Sequence, residues 1–250
     1  MNAVLIPVRS MTGAKNRLAA DFDEDARTRL TLAMLADMVT AARSARTVDA
    51  VYVVSADAAL LERARRMGAR TLAETPHAST PDPRQPTIRE VERADDGAEV
   101  RGGLNRAVFR AARALAARGV RRLLTIPGDV PLITPGEIDD VFAATASARV
   151  VIVPSASGSG TNGLLTAPPG VIAPHFEGES FAAHVRACQA AALVHAVRPA
   201  PGFALDIDTL DDLRVLARSR ADRESARVAT ALLVAVDAPS ATACAGGSRA

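Results

Sequence analysis

Three aspartates occupy positions from which their carboxylates could do chemistry. Asp129 follows the β-prone stretch 123–127 and one glycine, so we expect it at the C-terminal edge of a buried strand, where open α/β sheets bind ligands. Asp206 and Asp208 lie two residues apart and point to the same side of an extended segment. Such close like charges repel unless a divalent cation binds between them. Helix capping is the alternative for Asp129 and for Asp208 with Thr209, but it leaves Asp206 unused.

A single lysine, Lys15, stands in a chain whose 30 Lys and Arg residues are otherwise all arginines. An ammonium group is a compact point charge, so this lysine is a candidate for work that a planar guanidinium cannot do, although chance survival would also explain it. It lies in a small-residue loop with Arg9, Ser10 and Arg17, directly after an apolar N-terminal strand. Such a loop suits a triphosphate, but it matches neither GxxxxGK[ST] nor GxGxxG, and a solvated basic loop is the alternative.

Small polar residues precede three further elements. Gly103 and Asn105 stand at the start of a predicted helix, where the backbone is open to a ligand and Asn105 either contacts a base or ribose or caps the helix. The nine small residues 155–163, which include Thr161, form either an anion nest or a flexible linker. Ser180 begins another helix, where it either holds an anion or serves as an ordinary cap.

The elements that would position these residues follow a β-α-β rhythm, which predicts an α/β fold with a mostly parallel sheet. The predicted strands are 2–8, 51–55, 69–73, 123–127, 150–154 and 164–166. The predicted helices are 25–42, 60–67, 106–118, one from a capping box at 134–137, 182–191, 211–218 and a last one to about residue 236. We expect one domain over 1–220, an exposed Pro-rich insertion at 74–101 that is either a lid or a tolerated surface insertion, and an extension over 221–250 with a disordered end.

Composition excludes several classes of protein. A net charge of +2 gives no polyelectrolyte signal for nucleic acid, and no apolar run is long enough to span a membrane. Cys188 and Cys244 lack metal-ligand spacing, and the four histidines share no pattern, so we interpret the histidines as structural or surface residues. With no signal peptide recognised, we expect a cytoplasmic protein.

Several motifs, in order from about residue 3 to 218, together resemble the CofC/FbiD guanylyltransferases of coenzyme F-420 (deazaflavin) biosynthesis. The motifs are Pro-Val-Arg-Ser at 7–10, Ala-Lys-Asn-Arg-Leu at 14–18, Gly-Leu-Asn at 103–105, Pro-Gly-Asp-Val-Pro-Leu at 127–132, Gly-Thr-Asn at 160–162, Ser-Phe at 180–181 and Leu-Asp-Ile-Asp-Thr at 205–209. The resemblance implies a Rossmann-like nucleotidyltransferase (MobA-like) fold with helices on both faces of the sheet. It also implies GMP transfer from GTP to phosphoenolpyruvate, 3-phospho-D-glycerate or, less favoured in a bacterium, 2-phospho-L-lactate.

The resemblance also implies roles for individual residues. The implied metal ligands, for Mg²⁺, are Asp129, Asp206 and Asp208; the implied acid-substrate residues are Thr161, Ser180 and the neighbouring Glu177; the predicted nucleotide-binding residues are Arg9, Ser10, Lys15, Arg17, Gly103 and Asn105. Lys15 and Asp129 are the predicted catalytic residues. Glu177 departs from the family, which usually has glycine there, and the 74–101 insertion and the tail also depart from it.

Expected partners are GTP, the phosphorylated acid and the downstream transferase that consumes a labile product, with no nucleic acid or membrane. The alternatives are another nucleotidyltransferase of this fold, which the lack of a GGxSxRMG opening disfavours, and a catalytically silent nucleotide-binding protein.

Overall fold

The computed structural model describes residues 1–9, 15–74, 100, 103–219 and 222–237. Its strands are β1 (Asn2–Pro7), β2 (Ala50–Ser55), β3 (Arg70–Ala73), β4 (Arg122–Thr125), β5 (Val150–Pro154), β6 (Thr161–Thr166) and β7 (His195–Val197). Its α-helices are α1 (Glu24–Ser44), α2 (Ala58–Arg66), α3 (Gly103–Ala117), α4 (Pro135–Ala143), α5 (Ser180–Ala190), α6 (Leu210–Arg218) and α7 (Glu224–Asp237). Short 3₁₀ turns lie at Asn16–Leu18, Ala144–Ala146 and Pro201–Phe203.

The described strands form one sheet in the order β3-β2-β1-β4-β6-β5-β7. All pairs are parallel except those of β6, which runs antiparallel to both β4 and β5. The mostly parallel sheet predicted from the sequence is therefore confirmed. The flexible-linker interpretation of 155–163 is wrong for residues 161–163, because they pair within β6. Since β6 is reversed, its first residue lies at the same sheet edge as the carboxyl ends of β1 and β4.

Helices cover both faces of the sheet, as the alternating side chains of β1 show. Val4 and Ile6 pack into a core shared with α1, α2 and α4, whereas Ala3 and Leu5 pack against α3 on the opposite face. Helix α5 packs on this second side against β5 and β6, through residues such as Cys188. The core is aliphatic because the chain has no tryptophan and only 3% aromatic residues.

Helix α7 packs into a third cluster that also contains α1 and α6. Ala226, Ala229 and Leu232 of α7 are buried in the same cluster as Leu18 and Ile207. Ser225, in the first turn of α7, donates its hydroxyl and its backbone N–H to Asp37 of α1. The predicted last helix is thus present. Residues 238–250 lie outside the described residues, as do residues 75–99 and 101 of the predicted insertion.

Candidate active site

Gly128 brings the ends of β4 and β1 close together. A Cβ atom at this position would lie 2.9 Å from Val8 Cγ2 and 3.0 Å from the carbonyl oxygen of Pro7, which is tighter than normal packing. Only glycine therefore lets the chain leave β4 at this distance and present Asp129 at the sheet edge. Asp129 does not cap a helix, because the N-cap of α4 is Thr134, in the predicted capping box with Glu137.

Lys15 links two of the three aspartates. Its Nζ lies 2.8 Å from Asp129 Oδ2 and 3.1 Å from Asp208 Oδ1, and only 9% of the Lys15 side chain is exposed. Burial lowers the pKa of Lys15, but the charges and hydrogen bonds of the two aspartates outweigh it, and the pKa lies above its ordinary value. Lys15 also has a φ of 52°, a left-handed conformation that costs a residue with a Cβ about 1–2 kcal/mol. The surrounding charges hold the lysine in this conformation.

The loop before α6 carries Asp206 and Asp208 on either side of a buried residue. The intervening Ile207 is fully buried, and its backbone N–H donates to the carbonyl oxygen of Asp129 at 3.0 Å. The helix cap is Thr209, whose hydroxyl accepts from the N–H of Asp212 while the Asp212 carboxylate accepts from Thr209. The Asp208 carboxylate instead accepts from Lys15 and, at 3.2 Å, from Arg17. The capping interpretation of Asp208 is therefore wrong.

Asp206 carries the unrelieved negative charge of this group. Burial raises its pKa, the nearby charge of Asp129 raises it further, and a 3.4 Å contact from Asn162 Nδ2 opposes this. We call Lys15, Asp129, Asp206 and Asp208 the acidic cluster. Its three carboxylates face two cations, Lys15 and the largely exposed Arg17, so one negative charge remains uncompensated.

The acidic cluster has ligand atoms that suit Mg²⁺, but their present geometry is not that of a metal site. Carboxylate oxygens are the hard ligands this ion prefers, and an added cation would relieve the raised pKa of Asp206. In the described ranges, however, no three Asp, Glu, His or Cys side chains are arranged as a metal-binding group, and the Lys15 ammonium bridges Asp129 and Asp208. An ion held by Asp129, Asp206 and Asp208 would have to share or replace the contacts of Lys15.

A cavity of about 320 Å³ opens beside the ends of β1 and β2. Its wall includes Arg9, Glu74, Gly103, Leu104 and Glu177. Arg9 Nη2 lies 3.2 Å from Glu177 Oε1, and both side chains are largely exposed to solvent. The structure therefore places Gly103 and Arg9, two predicted nucleotide-binding residues, in one cavity.

The structure leaves the roles of two other predicted nucleotide-binding residues open. Asn105 lies inside α3, so the capping interpretation is wrong, and its Oδ1 accepts from the backbone N–H of Phe176 at 2.8 Å. Its role toward a base or ribose stays a prediction. Ser10 lies outside the described residues.

Thr161 and Ser180 meet where β6 begins beside α5, and we call them the hydroxyl pair. The backbone N–H of Thr161 donates to Ser180 Oγ at 2.8 Å, and both residues are only 4% exposed. Ser180 does not cap α5, because Glu179 holds the N-cap position. Asn162, the next residue of β6, contacts Asp206, so the hydroxyl pair lies next to the acidic cluster.

Sequence reasoning missed one residue here. His184 is fully buried and lies 3.0 Å from the Thr161 hydroxyl through its Nδ1. Its spacing of four from Ser180 on a helix was the available signal, because residues i and i+4 share a helix face.

Comparison with known proteins decides the family. The family model described as "Guanylyl transferase CofC like" matches residues 2–81 and 85–243, which is nearly the whole chain. The chain belongs to this CofC family. Its members include proteins named phosphoenolpyruvate guanylyltransferase: the one from Conexibacter woesei is 36% identical over 88% of this chain and 88% of its own length. That from Sphaerobacter thermophilus is 34% identical over 85% of this chain and 91% of its own.

Solved structures agree on the fold. A protein of the nucleotide-diphospho-sugar transferase type from Desulfovibrio desulfuricans G20 superposes with a TM-score of 0.71 at 15% identity, covering 94% of this chain and 96% of its own. A nucleotidyl transferase from Methanothermobacter gives a TM-score of 0.57 at 16% identity, covering 86% of this chain and 95% of its own. This CofC-family chain is thus a nucleotidyltransferase enzyme with the predicted fold. None of its described helices is long and apolar enough to cross a bilayer.

Proposed function

We propose that this CofC-family enzyme transfers GMP from GTP to the phosphate of phosphoenolpyruvate and releases pyrophosphate, in the biosynthesis of coenzyme F-420. The observation that carries this proposal is the convergence of the acidic cluster and the hydroxyl pair at one sheet edge, linked by the contact between Asn162 and Asp206. The first group suits a triphosphate with its cation, and the second suits a carboxylate. The names of the relatives favour phosphoenolpyruvate over 3-phospho-D-glycerate and 2-phospho-L-lactate.

The reaction is an in-line displacement. An oxygen of the acceptor phosphate attacks the α-phosphorus of GTP, the bond to the bridging oxygen breaks, and pyrophosphate leaves with the bonding electrons. The attacking oxygen is already anionic, so no strong general base is needed. Catalysis then rests on positioning the two substrates and on neutralising charge.

Lys15 is the residue best placed to neutralise this charge. It is held between Asp129 and Asp208, has its pKa raised and therefore carries its proton throughout the physiological range. Its ammonium can donate to a phosphate oxygen of the leaving group while Arg17, bound to the other oxygen of Asp208, adds a second positive charge at the rim. Arg9 and Gly103 then border the cavity that receives the nucleoside.

The residues that would hold Mg²⁺ are Asp129, Asp206 and Asp208. When bound, the ion supplies positive charge against the triphosphate and the developing pyrophosphate. The aspartates are kept in place without it by Lys15, by Asn162 and by the buried Ile207.

The hydroxyl pair would hold the carboxylate of the three-carbon acid. Thr161 and Ser180 are both buried beside the first turn of α5, where hydroxyl groups and the positive end of a helix dipole favour an anion. Glu177, near this turn, forms an ion pair with Arg9. An acidic residue at this position is unfavourable for a second anionic ligand, and the ion pair with Arg9 offsets part of its charge.

A competition assay tests the proposal. The enzyme is mixed with GTP, Mg²⁺ and equal amounts of all three acids, pyrophosphate release is followed, and the guanylylated product is identified by mass spectrometry. A dominant phosphoenolpyruvate product supports the proposal. A dominant product from another acid would show that phosphoenolpyruvate is not the preferred acceptor, while the assignment as a guanylyltransferase would stand.

Because the guanylylated acid is labile, the assay is repeated with the transferase that consumes it. GTP and CTP are compared in the same way, since a preference for CTP would make the chain a different nucleotidyltransferase. Absence of pyrophosphate with every nucleotide and acid, with and without the downstream enzyme, would favour a silent nucleotide-binding protein.

A further inference from the structure

His184 joins the hydroxyl pair to the loop before α5 by two hydrogen bonds. Its Nε2 is 2.9 Å from the backbone nitrogen of His175, and its Nδ1 is 3.0 Å from Thr161 Oγ1. The ring is fully buried and meets the rings of His175 and Phe176 edge-on, with centroid distances of 5.8 and 5.4 Å. Packing and both hydrogen bonds thus fix its orientation.

These contacts determine which nitrogen carries the proton. A backbone N–H can only donate, so Nε2 must be the unprotonated acceptor. Burial, and to a smaller extent the charge of His175, lower the pKa of His184 to about 3, so the ring is neutral near pH 7. Its one ring proton is therefore on Nδ1, and an interaction with the backbone of Ser180 on α5 is consistent with a donor there.

The tautomer in turn determines the direction of the Thr161 hydroxyl. Because Nδ1 carries a proton, which it shares between Thr161 Oγ1 and the backbone of Ser180, Thr161 Oγ1 can only accept from it and cannot donate to it. Ser180 Oγ likewise accepts from the backbone N–H of Thr161. In the part of the chain that the structure describes, neither hydroxyl donates to another protein group, so both protons remain for a ligand. Two donors side by side select an anion and disfavour a cation or a neutral donor.

We propose that His184 is a positioning residue that turns the Thr161 hydroxyl into a hydrogen-bond donor for the carboxylate of the acid substrate. This rests on the proposed function, in which the hydroxyl pair binds that acid. His184 itself does not touch the substrate. It acts because its protonated Nδ1 cannot accept a hydrogen bond from the Thr161 hydroxyl, which leaves that proton for the substrate.

Two near-isosteric variants separate the two hydrogen bonds of His184. The side-chain amide of His184→Asn lies near the position of Nδ1 and keeps a donor for Thr161, but it loses the acceptor for His175. The amide of His184→Gln reaches the position of Nε2 and keeps that acceptor, but it loses the donor. A hydrogen bond to a charged ligand is worth roughly tenfold in affinity. We therefore expect KM for phosphoenolpyruvate to rise about tenfold in His184→Gln and to change little in His184→Asn, with kcat similar in both.

Binding of phosphoenolpyruvate is also measured by calorimetry, with and without a GTP analogue whose α,β bridge cannot be cleaved. This arm does not depend on turnover. Wild type that binds the acid but transfers nothing would overturn the proposed function and keep the role of His184. Equal affinities of His184→Asn and His184→Gln would overturn the role of His184 and leave the proposed function standing.

Nitrogen NMR of protein labelled with ¹⁵N-histidine reads the tautomer directly. We expect His184 to be neutral near pH 7, with the proton on Nδ1 and a hydrogen-bonded, unprotonated Nε2. A proton on Nε2 would overturn the proposal. Thermal unfolding of both variants controls for a purely structural role. In that case the rise in KM would follow the loss of stability in each variant, whichever hydrogen bond was lost.

Discussion

The acidic cluster and the hydroxyl pair with His184 lie side by side at one sheet edge, but they are held by different interactions. The first is held mainly by ion pairs and the second by hydrogen bonds between neutral groups. In the acidic cluster, full charges oppose each other: Lys15 is bound by two carboxylates and Asp206 keeps a raised pKa. Thr161, Ser180 and His184 are instead neutral, and both hydroxyl oxygens accept hydrogen bonds from the protein. The comparison teaches that the first region responds to cations and charge changes, whereas the second responds to hydrogen-bond geometry.

The largest expected effect is that of removing the positive charge from the acidic cluster. In Lys15→Met the stem is kept but Asp129 and Asp208 lose their buried cation, so we expect turnover to fall by roughly 10²–10³-fold, the typical loss for one electrostatic contact to a transition state. Pyrophosphate release at saturating substrates measures it. Arg17→Met is the matched control: its side chain is 74% exposed, so its loss should be much smaller. Near-normal turnover in Lys15→Met would remove this residue from the mechanism.

The neutral region should be sensitive to acid through His184. The folded-state pKa of about 3 lies below the ordinary value of 6.5, so between these values the unfolded state binds more protons. Stability is therefore fully present above about pH 6.5 and falls as pH drops through this window, by up to ~1.4 kcal/mol per pH unit. Urea unfolding from pH 7 to 4 measures it. In His184→Asn this component of the slope should vanish; an unchanged slope would contradict the buried neutral ring.

The geometry that presents Asp129 depends on Gly128. In Gly128→Ala the new Cβ would press on Val8 and on the carbonyl of Pro7, and such overpacking costs about 1–3 kcal/mol. We expect a lower midpoint of chemical denaturation together with reduced turnover, because the shift moves Asp129. Gly136→Ala is the control, since its Cβ would meet nothing within 4 Å. Equal behaviour of the two variants would show that the close approach is unimportant.

Removing the negative charge of Asp206 should raise stability slightly and lower activity. Asp206→Asn relieves the repulsion that, with burial, raises the pKa of Asp206, so we expect a slightly higher unfolding temperature without Mg²⁺. Solvent screening keeps this gain below about 1 kcal/mol. Turnover should fall strongly, and Mg²⁺ should stabilise the wild type more than the variant in a thermal-shift titration. Equal stabilisation of both proteins by Mg²⁺ would argue against Asp206 as a ligand.

The smallest effect is expected at the exposed ion pair. Glu177→Gly frees Arg9, and because both side chains are largely exposed the stability should change by less than about 1 kcal/mol. Relief of one negative charge near α5 should lower KM for phosphoenolpyruvate, most clearly at low salt. Substrate kinetics at two ionic strengths measure this. A KM that rises in Glu177→Gly would mean that the carboxylate helps to position Arg9.

Sequence alone determined the mostly parallel α/β fold, because mainly apolar strands alternate with amphipathic helices in an order that few topologies satisfy. It also picked out Lys15 and the three aspartates, since residue type and period-two spacing are visible in one dimension. Helix bounds were close for the same reason: capping residues such as Thr134 and Thr209 are local signals.

Tertiary structure decided what has no local signal. The reversal of β6 depends on its pairing with β4 and β5, and this reversal brings Thr161 to the edge that holds Asp129. Burial of His184, and with it the tautomer that orients a hydroxyl, depends on contacts with His175 and Thr161 that lie 9 and 23 residues away. The sequence shows which chemical groups are present and how they are spaced. The protonation and hydrogen-bond direction of a buried group depend on neighbours that only folding brings together.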